Sequence, residues 1–154
     1  MPKIDPSAAT VVSGSRYPAA FEQPCRNRSQ RRLGDAAGLT QFGVNLLHLP
    51  PDCWSSQRHW HSHEDEFVYV ISGEVILVTD EGEQIMRAGD CAGFRAGDHN
   101  GHHLQNRSAA GAQLLIVGSR HHDDHGEYPD IDLKFSSGRC SGNGGFQHKD
   151  GTPY

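Results

Sequence analysis

Long apolar runs are missing from this 154-residue chain. No stretch approaches the roughly 20 consecutive apolar residues that cross a bilayer, so no membrane-spanning helix and no membrane partner are expected. The opening residues, MPKIDPSAATVVSGS, lack the apolar core of a secretory signal, and a cytoplasmic location is the expectation. Paired cysteines are missing too. Cys25, Cys53, Cys91 and Cys140 are scattered with no C-x-x-C spacing, which argues for reduced thiols rather than a disulfide framework. Basic charge is scarce: 14 Lys and Arg against 19 Asp and Glu give a formal charge of -5, so nucleic acid is not an expected partner. The local run Arg26, Arg28, Arg31, Arg32 has no apolar period beside it and reads as a solvated segment. No window carries the 3.6-residue period of a long amphipathic helix.

Glycine and histidine are what the chain does have, with 18 and 11 copies. The glycines punctuate short runs of β-branched and aromatic residues. Residues 1–38, with Pro2, Pro6, Pro18 and Pro24, show neither a helical nor a strand period and read as an N-terminal arm or coil. From Thr40 the alternation of Thr40, Phe42, Val44 and Leu46 with polar or small residues marks a half-buried strand that ends at Pro50-Pro51. Further strands are predicted over 57–61, 66–71, 74–79, 83–87, 91–95, 102–106 and 113–117, separated by Ser72-Gly73, Asp80-Glu81-Gly82, Gly89-Asp90, Gly97-Asp98 and Ala110-Gly111. Such spacing predicts an all-β domain over 39–119, an antiparallel sandwich or barrel. Residues 120–154 turn polar and Gly-rich, with Ile131, Leu133 and Phe135 able to supply one edge strand that packs on the barrel or extends from it.

Six histidines fall in two short clusters. In RHWHSHEDEF, strand alternation sends His59 and His61 to one face and Trp60 to the other, and Glu66 opens the next strand on the face of Val68 and Val70. A buried, unpaired carboxylate costs several kcal/mol, and a divalent cation offsets that cost. In the second cluster, His99, His102 and His103, strand parity places His102 on a face with Leu104 and Asn106. Three imidazoles and one carboxylate suit one divalent transition metal, Fe, Mn, Ni, Co or Zn, rather than Ca or Mg. Two other registers stay open: His61 and His63 serving with Glu66, and His103 replacing His102.

The spacing His59-x-His61, four residues, Glu66, six residues, Gly73 resembles the first motif of the cupin superfamily. The run Gly89, five residues, Arg95-Ala96-Gly97, and then His102, three residues, Asn106 resembles the second. Arg95 stands where that family usually has proline, and the Gly97–His102 spacing is two residues longer, which bears on the loops at the barrel mouth. The resemblance, to small single-domain bacterial cupins, implies a double-stranded β-helix or jelly-roll barrel with His59, His61, Glu66 and His102 as metal ligands. It further implies a small-molecule ligand or substrate, a homodimer, and chemistry drawn from dioxygenase-type oxidoreductases or sugar-phosphate-type isomerases. A non-catalytic module that binds or senses a small ligand is the competing expectation.

Other residues carry paired readings. His63, in the turn at the barrel mouth, is either a catalytic acid or base or a solvated histidine. Gln57 shares the parity of His59 and either lines the substrate pocket or makes a structural hydrogen bond. Arg58, Arg95 and Arg107 are cations able to hold an anionic substrate, Arg95 being best placed. His121-His122-Asp123-Asp124-His125 suggests a second metal site but sits in a polar connection and reads as a solvated loop. Phe67, Tyr69 and Ile71 form an apolar stripe opposite Glu66 that suits sheet packing or a dimer face.

Overall fold

The computed structural model describes residues 3–138 and 145–154, so Cys140 lies outside the described residues. The alternation noted above folds as strands in antiparallel pairs. In chain order these are β1 (Val11–Ser13), β2 (Ser29–Arg32), β3 (Phe42–Leu49), β4 (Cys53–Trp54), β5 (Glu66–Ser72), β6 (Glu74–Thr79), β7 (Gly82–Arg87), β8 (Cys91–Phe94), β9 (His103–Asn106), β10 (Ala112–Ser119), β11 (Gly126–Tyr128), β12 (Leu133–Phe135) and β13 (Phe146–Gln147). They form a six-stranded sheet in the order β1-β2-β3-β10-β5-β8, a four-stranded sheet β4-β9-β6-β7 and a three-stranded sheet β11-β12-β13. Among the described residues no helix is long and apolar enough to cross a membrane.

The first two sheets close over one core. On β5 the even positions Val68 and Val70 are buried while Phe67, Tyr69 and Ile71 face outward and stay exposed. Leu47, Leu49 and Leu114 of the larger sheet meet Val75, Leu77, Met86 and Leu104 of the smaller one. Each fully buried aliphatic side chain stabilises the barrel by about 1.5–3 kcal/mol relative to exposure. Gly73, which joins β5 to β6, holds φ at +84°, and a Cβ there would meet the Ala112 backbone at 2.8 Å. A side chain at that position would part the two sheets at their turn.

The flanks differ from the sequence expectation. The N-terminal arm carries strands that sequence pattern did not mark: β2 pairs with the free edge of β3, Arg32 opposite Asn45 and Gln30 opposite Leu47, and β1 pairs with β2. SQRR has no apolar alternation, so the ladder itself, satisfying the open backbone groups of β3, sets this strand. Residues 57–61 were expected to form a strand, yet they form bends with one isolated bridge, His59 to His102. Their backbone is divided among partners: His59 N donates to His102 O, Trp60 N to Glu127 O and Ser62 N to His125 O.

The C-terminal segment holds a second small core of Tyr128, Leu133 and Phe135, packed against Tyr17, Phe21, Ile131 and Phe146. Arm and C-terminal segment thus meet each other as well as the barrel. Arg58 clamps this segment down, donating from Nε and Nη2 to the two oxygens of Asp130 at 2.8 and 2.6 Å, and it also pairs with Asp80. Gly126 lies where β11 passes under the chain, because a Cβ there would sit 1.9 Å from the Trp60 carbonyl oxygen.

Candidate metal centre

The histidine-rich bend, the first residue of β5 and the entry to β9 come together at one end of the barrel interior. His59 Nε2 and His61 Nε2 are 3.1 Å apart, and His102 Nε2 is 2.9 Å from Glu66 Oε2. Glu66 Oε2 lies 4.0 Å from His59 Nε2 and 3.9 Å from His61 Nε2. Separations of about 3 to 4 Å are those of donor atoms around one centre with bonds of roughly 2.1 Å.

Hydrogen bonds on the far side of the His59 and His61 rings decide which of their nitrogens faces inward. His59 Nδ1 donates to the Gln57 carbonyl at 2.9 Å, and His61 Nδ1 donates to Asp124 Oδ2 at 2.8 Å. Both Nε2 atoms are therefore left with lone pairs, and those lone pairs point at each other. Two such lone pairs at 3.1 Å repel unless a cation lies between them, so the donor set fits a divalent metal. His102 is sandwiched flat against Phe94, ring centres 3.6 Å apart, and its Nδ1 is buried with no hydrogen-bond partner among the described residues.

The electrostatics favour a neutral His59 beside an ionised Glu66. Burial, followed by the neighbouring rings of His61 and His102, holds His59 well below the ordinary histidine range. Burial alone would raise the Glu66 carboxyl, but the hydrogen bond from His102, followed by the electrostatic attraction of the surrounding histidines for the ionised carboxylate, outweighs it and holds Glu66 below the usual carboxylate range.

The two other registers are disfavoured by position. His63 is exposed, hydrogen-bonded through Nδ1 to Ser62 Oγ at 2.8 Å and stacked on His121. His103 is buried under Trp54, its Nδ1 bonded to the Ser56 carbonyl and its Nε2 to the Gln105 amide. Burial pushes His103 down to about 4. His99 stacks on Trp60, and the Asn106 amide donates to the carbonyls of Leu49 at the end of β3 and Ala110 in the β9–β10 turn.

Two cavities share this centre, both lined by His61, Glu64, Phe94 and His102. The larger, about 610 Å³, runs from His59 and Glu66 to the N-terminal arm. The smaller, about 260 Å³, lies between β6–β7 and β8 and is lined by Arg95, Glu81 and Asp98. Arg95 is thus at a cavity wall, whereas His63 and Gln57 line neither. Gln57 instead donates from Nε2 to the Phe21 carbonyl at 2.7 Å while its own carbonyl orients His59. Arg58 and Arg107 are engaged by carboxylates, Arg107 with Glu83 at 2.6 and 2.8 Å.

Two site residues escaped the sequence reading. Asp124, from the segment expected to be a solvated loop, is 2% exposed and holds His61, with its other oxygen accepting from the His63 backbone N–H at 3.0 Å. Glu64 is buried, accepts from the His121 N–H at 2.9 Å and lies 3.8 Å from His61 Nδ1. The available signal was chemical: a ligating histidine needs an acceptor for its second nitrogen, and the nearest unexplained carboxylates in histidine-rich sequence were these. Aromatic rings of the C-terminal sheet complete the wall, Tyr128 at 5.6 Å from His59 and Phe135 at 5.3 Å from His61. His121, His122 and Asp123 also bring donor atoms within 4.8 Å of one another, at the surface.

Comparison with known proteins supports the same architecture. No curated protein matches the chain. The cupin domain family model matches residues 45–118. A solved structure titled a sugar phosphate isomerase from a cupin superfamily, from Silicibacter pomeroyi, is 44% identical, covers 99% of this chain and 96% of its own, and superposes with a TM-score of 0.93. A putative sugar phosphate isomerase from Acidithiobacillus ferrooxidans is 26% identical over 83% of this chain and 80% of its own, with a TM-score of 0.74. A polyketide cyclase from Streptomyces resistomycificus, 18% identical over 77% and 79% with a TM-score of 0.63, shares the fold alone. A first motif at cupin spacing, a closed antiparallel barrel and a 44%-identical relative matched over nearly its whole length lead to one conclusion: the chain belongs to the cupin superfamily, as a small single-domain member.

Proposed function

We propose that this cupin is a metal-dependent isomerase of a small phosphorylated sugar. The observation that carries the metal is the pair of facing Nε2 lone pairs of His59 and His61, closed by Glu66 and His102 at the inner end of the larger cavity. The reaction class is supported by the Silicibacter pomeroyi relative, whose title names a sugar phosphate isomerase. A divalent transition metal, when bound there, supplies Lewis-acid polarisation of a substrate carbonyl or hydroxyl.

Aldose–ketose interconversion moves a proton between adjacent carbons, so the site needs a group to take and return it. We assign that role to Glu64, whose carboxylate is buried in the wall of both cavities beside His61. His63, the alternative from the sequence, faces solvent, and Glu64 is preferred for position. Phe94, Tyr128 and Phe135 pack against the rings of His102, His59 and His61. Gln57 and Asp124 act as positioning residues, fixing the tautomers of His59 and His61.

The test is proton and carbon NMR of triose to hexose phosphates incubated with protein loaded with Mn, Fe, Co, Ni or Zn in turn. Turnover of one aldose–ketose pair, lowered more than about 100-fold in Glu64→Gln with metal content unchanged, is the expected result. One bound equivalent of metal with no turnover of any of them would instead favour the ligand-binding module.

A further inference from the structure

We propose that the N-terminal arm builds a phosphate subsite at the far end of the larger cavity, with Arg16, Arg28, Arg32 and Arg120 as its cations. The inference rests on the reading of the metal centre as the place where the sugar end of the substrate sits, and it assigns the other end.

Strand register puts the arm there. On β2, Arg31 is half-buried and donates to the carbonyls of Pro6 and Ser7, while Gln30 and Arg32 share the opposite face and line the cavity, Arg32 at its exposed rim. Arg32 lies opposite Asn45, Asn45 opposite Ile116 and Ile116 opposite Val68, all on the cavity wall. Glu66 is the next inward residue on β5. Arg32 and the metal centre are therefore separated by three strand spacings, roughly 14 Å along a curved sheet. An arginine side chain reaching inward and a short sugar chain reaching outward span such a cavity.

Charge at the arm end is unbalanced. Arg32 and Arg120 converge on one carboxylate, Asp35, at 3.7 Å for Arg32 and by a short contact for Arg120. Arg28 donates to the backbone carbonyls of Gly14 and Ser55 and faces no carboxylate within ion-pair distance. Arg16 makes no hydrogen bond or ion pair with any described residue. Four guanidiniums thus share one acid, while the other acids of this cavity, Glu64, Asp65 and Glu66, come from the segment that carries the metal centre. In a chain of net charge -5, this is a local positive field inside a partly enclosed space, which concentrates an anion. Guanidinium forks match phosphate oxygens two at a time. The Ser15 hydroxyl in the same wall is buried and without a hydrogen-bond partner among the described residues. By contrast, the smaller cavity sets Arg95 against Glu64, Glu81 and Asp98 and is unsuited to a dianion.

Titration calorimetry of inorganic phosphate into the full chain, both chelator-treated and Zn-loaded, tests this directly. We expect one site with a dissociation constant on the order of millimolar in both forms. Arg16→Gln, which breaks no contact in the folded chain, lowers the affinity about fivefold, and the Arg16→Gln/Arg28→Lys pair lowers it at least about tenfold, with metal uptake unchanged. Acetate binds at least about tenfold more weakly than phosphate. Phosphate binding within twofold of the wild type in both variants would overturn the subsite. So would acetate binding as well as phosphate, or phosphate binding only when Zn is present. Phosphate binding through the arginines with no isomerase turnover would sink the isomerase reading and leave the subsite standing.

Discussion

The barrel and its two flanks make opposite kinds of contribution to the same site. From the barrel come His59, His61, Glu66 and His102, four donors within 44 residues of sequence, and Glu66 is fixed by regular pairing opposite Phe94 and Gly118. From the flanks come Asp124, Tyr128, Phe135, Tyr17 and the arm arginines, up to more than a hundred residues apart in sequence and joined through small shared packing rather than one ladder. Donors that must converge on one point are most rigidly held on strands, whereas their acceptors, lids and counter-charges tolerate looser supports. The barrel supplies the candidate donors, and the flanks supply the groups that orient and enclose them.

That division is broken most severely by touching a residue both parts use. His61→Ala removes a donor and the partner of Asp124 together, so bound metal should fall to background by elemental analysis. Gly126→Ala should be the costliest change in the flanks: with a Cβ 1.9 Å from the Trp60 carbonyl, β11 must leave its place, and about 3 kcal/mol or more of stability is expected to be lost in urea unfolding. Asp124→Asn keeps the shape and removes the charge behind His61. A competing chelator should report metal affinity weaker by about 10- to 100-fold with the melting transition of the metal-free protein little changed.

Acidification separates the regions more gently. His103 stays neutral in the folded chain down to about 4, whereas an unfolded histidine takes a proton near 6.5. The unfolded state then binds more protons across that window, so stability is full above it and falls as pH drops towards 4, by roughly 2–3 kcal/mol from this residue. His59, depressed in the same direction, adds to the loss, and bound metal leaves over the same range because ligation requires neutral imidazoles. Urea unfolding of the metal-free protein at pH 7.5, 6 and 4.5 checks the sign. The smallest effect is expected from His63→Gln, which should leave turnover within twofold, since that ring faces solvent.

Where pattern is local, the sequence was legible. The period-2 runs that predicted β3, β5, β6, β7, β8 and β10 fold as strands, with Val68 and Val70 inward and Phe67 and Tyr69 outward, although on β3 the buried positions are Gly43, Leu47 and Leu49 and the expected Phe42 is exposed. Of the donors singled out by spacing, His59, His61 and Glu66 bring ligand atoms within 4.8 Å of one another, and His102 Nε2 reaches Glu66 Oε2. Position 57–61 misled because alternation survives in an extended bend: His59 and His61 still share a direction although the ladder is a single bridge. SQRR gave no hint of β2, because its pairing answers the open edge of β3 and not its own side chains. The arginines around it divide: Arg26 and Arg32 are exposed, in keeping with a solvated segment, whereas Arg28 and Arg31 are half-buried on backbone carbonyls that charge spacing does not reveal. Asp124 was hidden because its burial follows from the needs of His61, 63 residues earlier in the chain.

The central claim is that His59, His61, Glu66 and His102 hold one metal ion. Elemental analysis of untagged protein purified without chelators, beside the His59→Ala/His61→Ala double variant, tests it most directly. The account predicts about one equivalent of Fe, Mn, Ni, Co or Zn per chain, absent from the double variant. It is contradicted by a wild-type protein that neither carries metal nor takes it up on reconstitution, or by a double variant that retains the full equivalent.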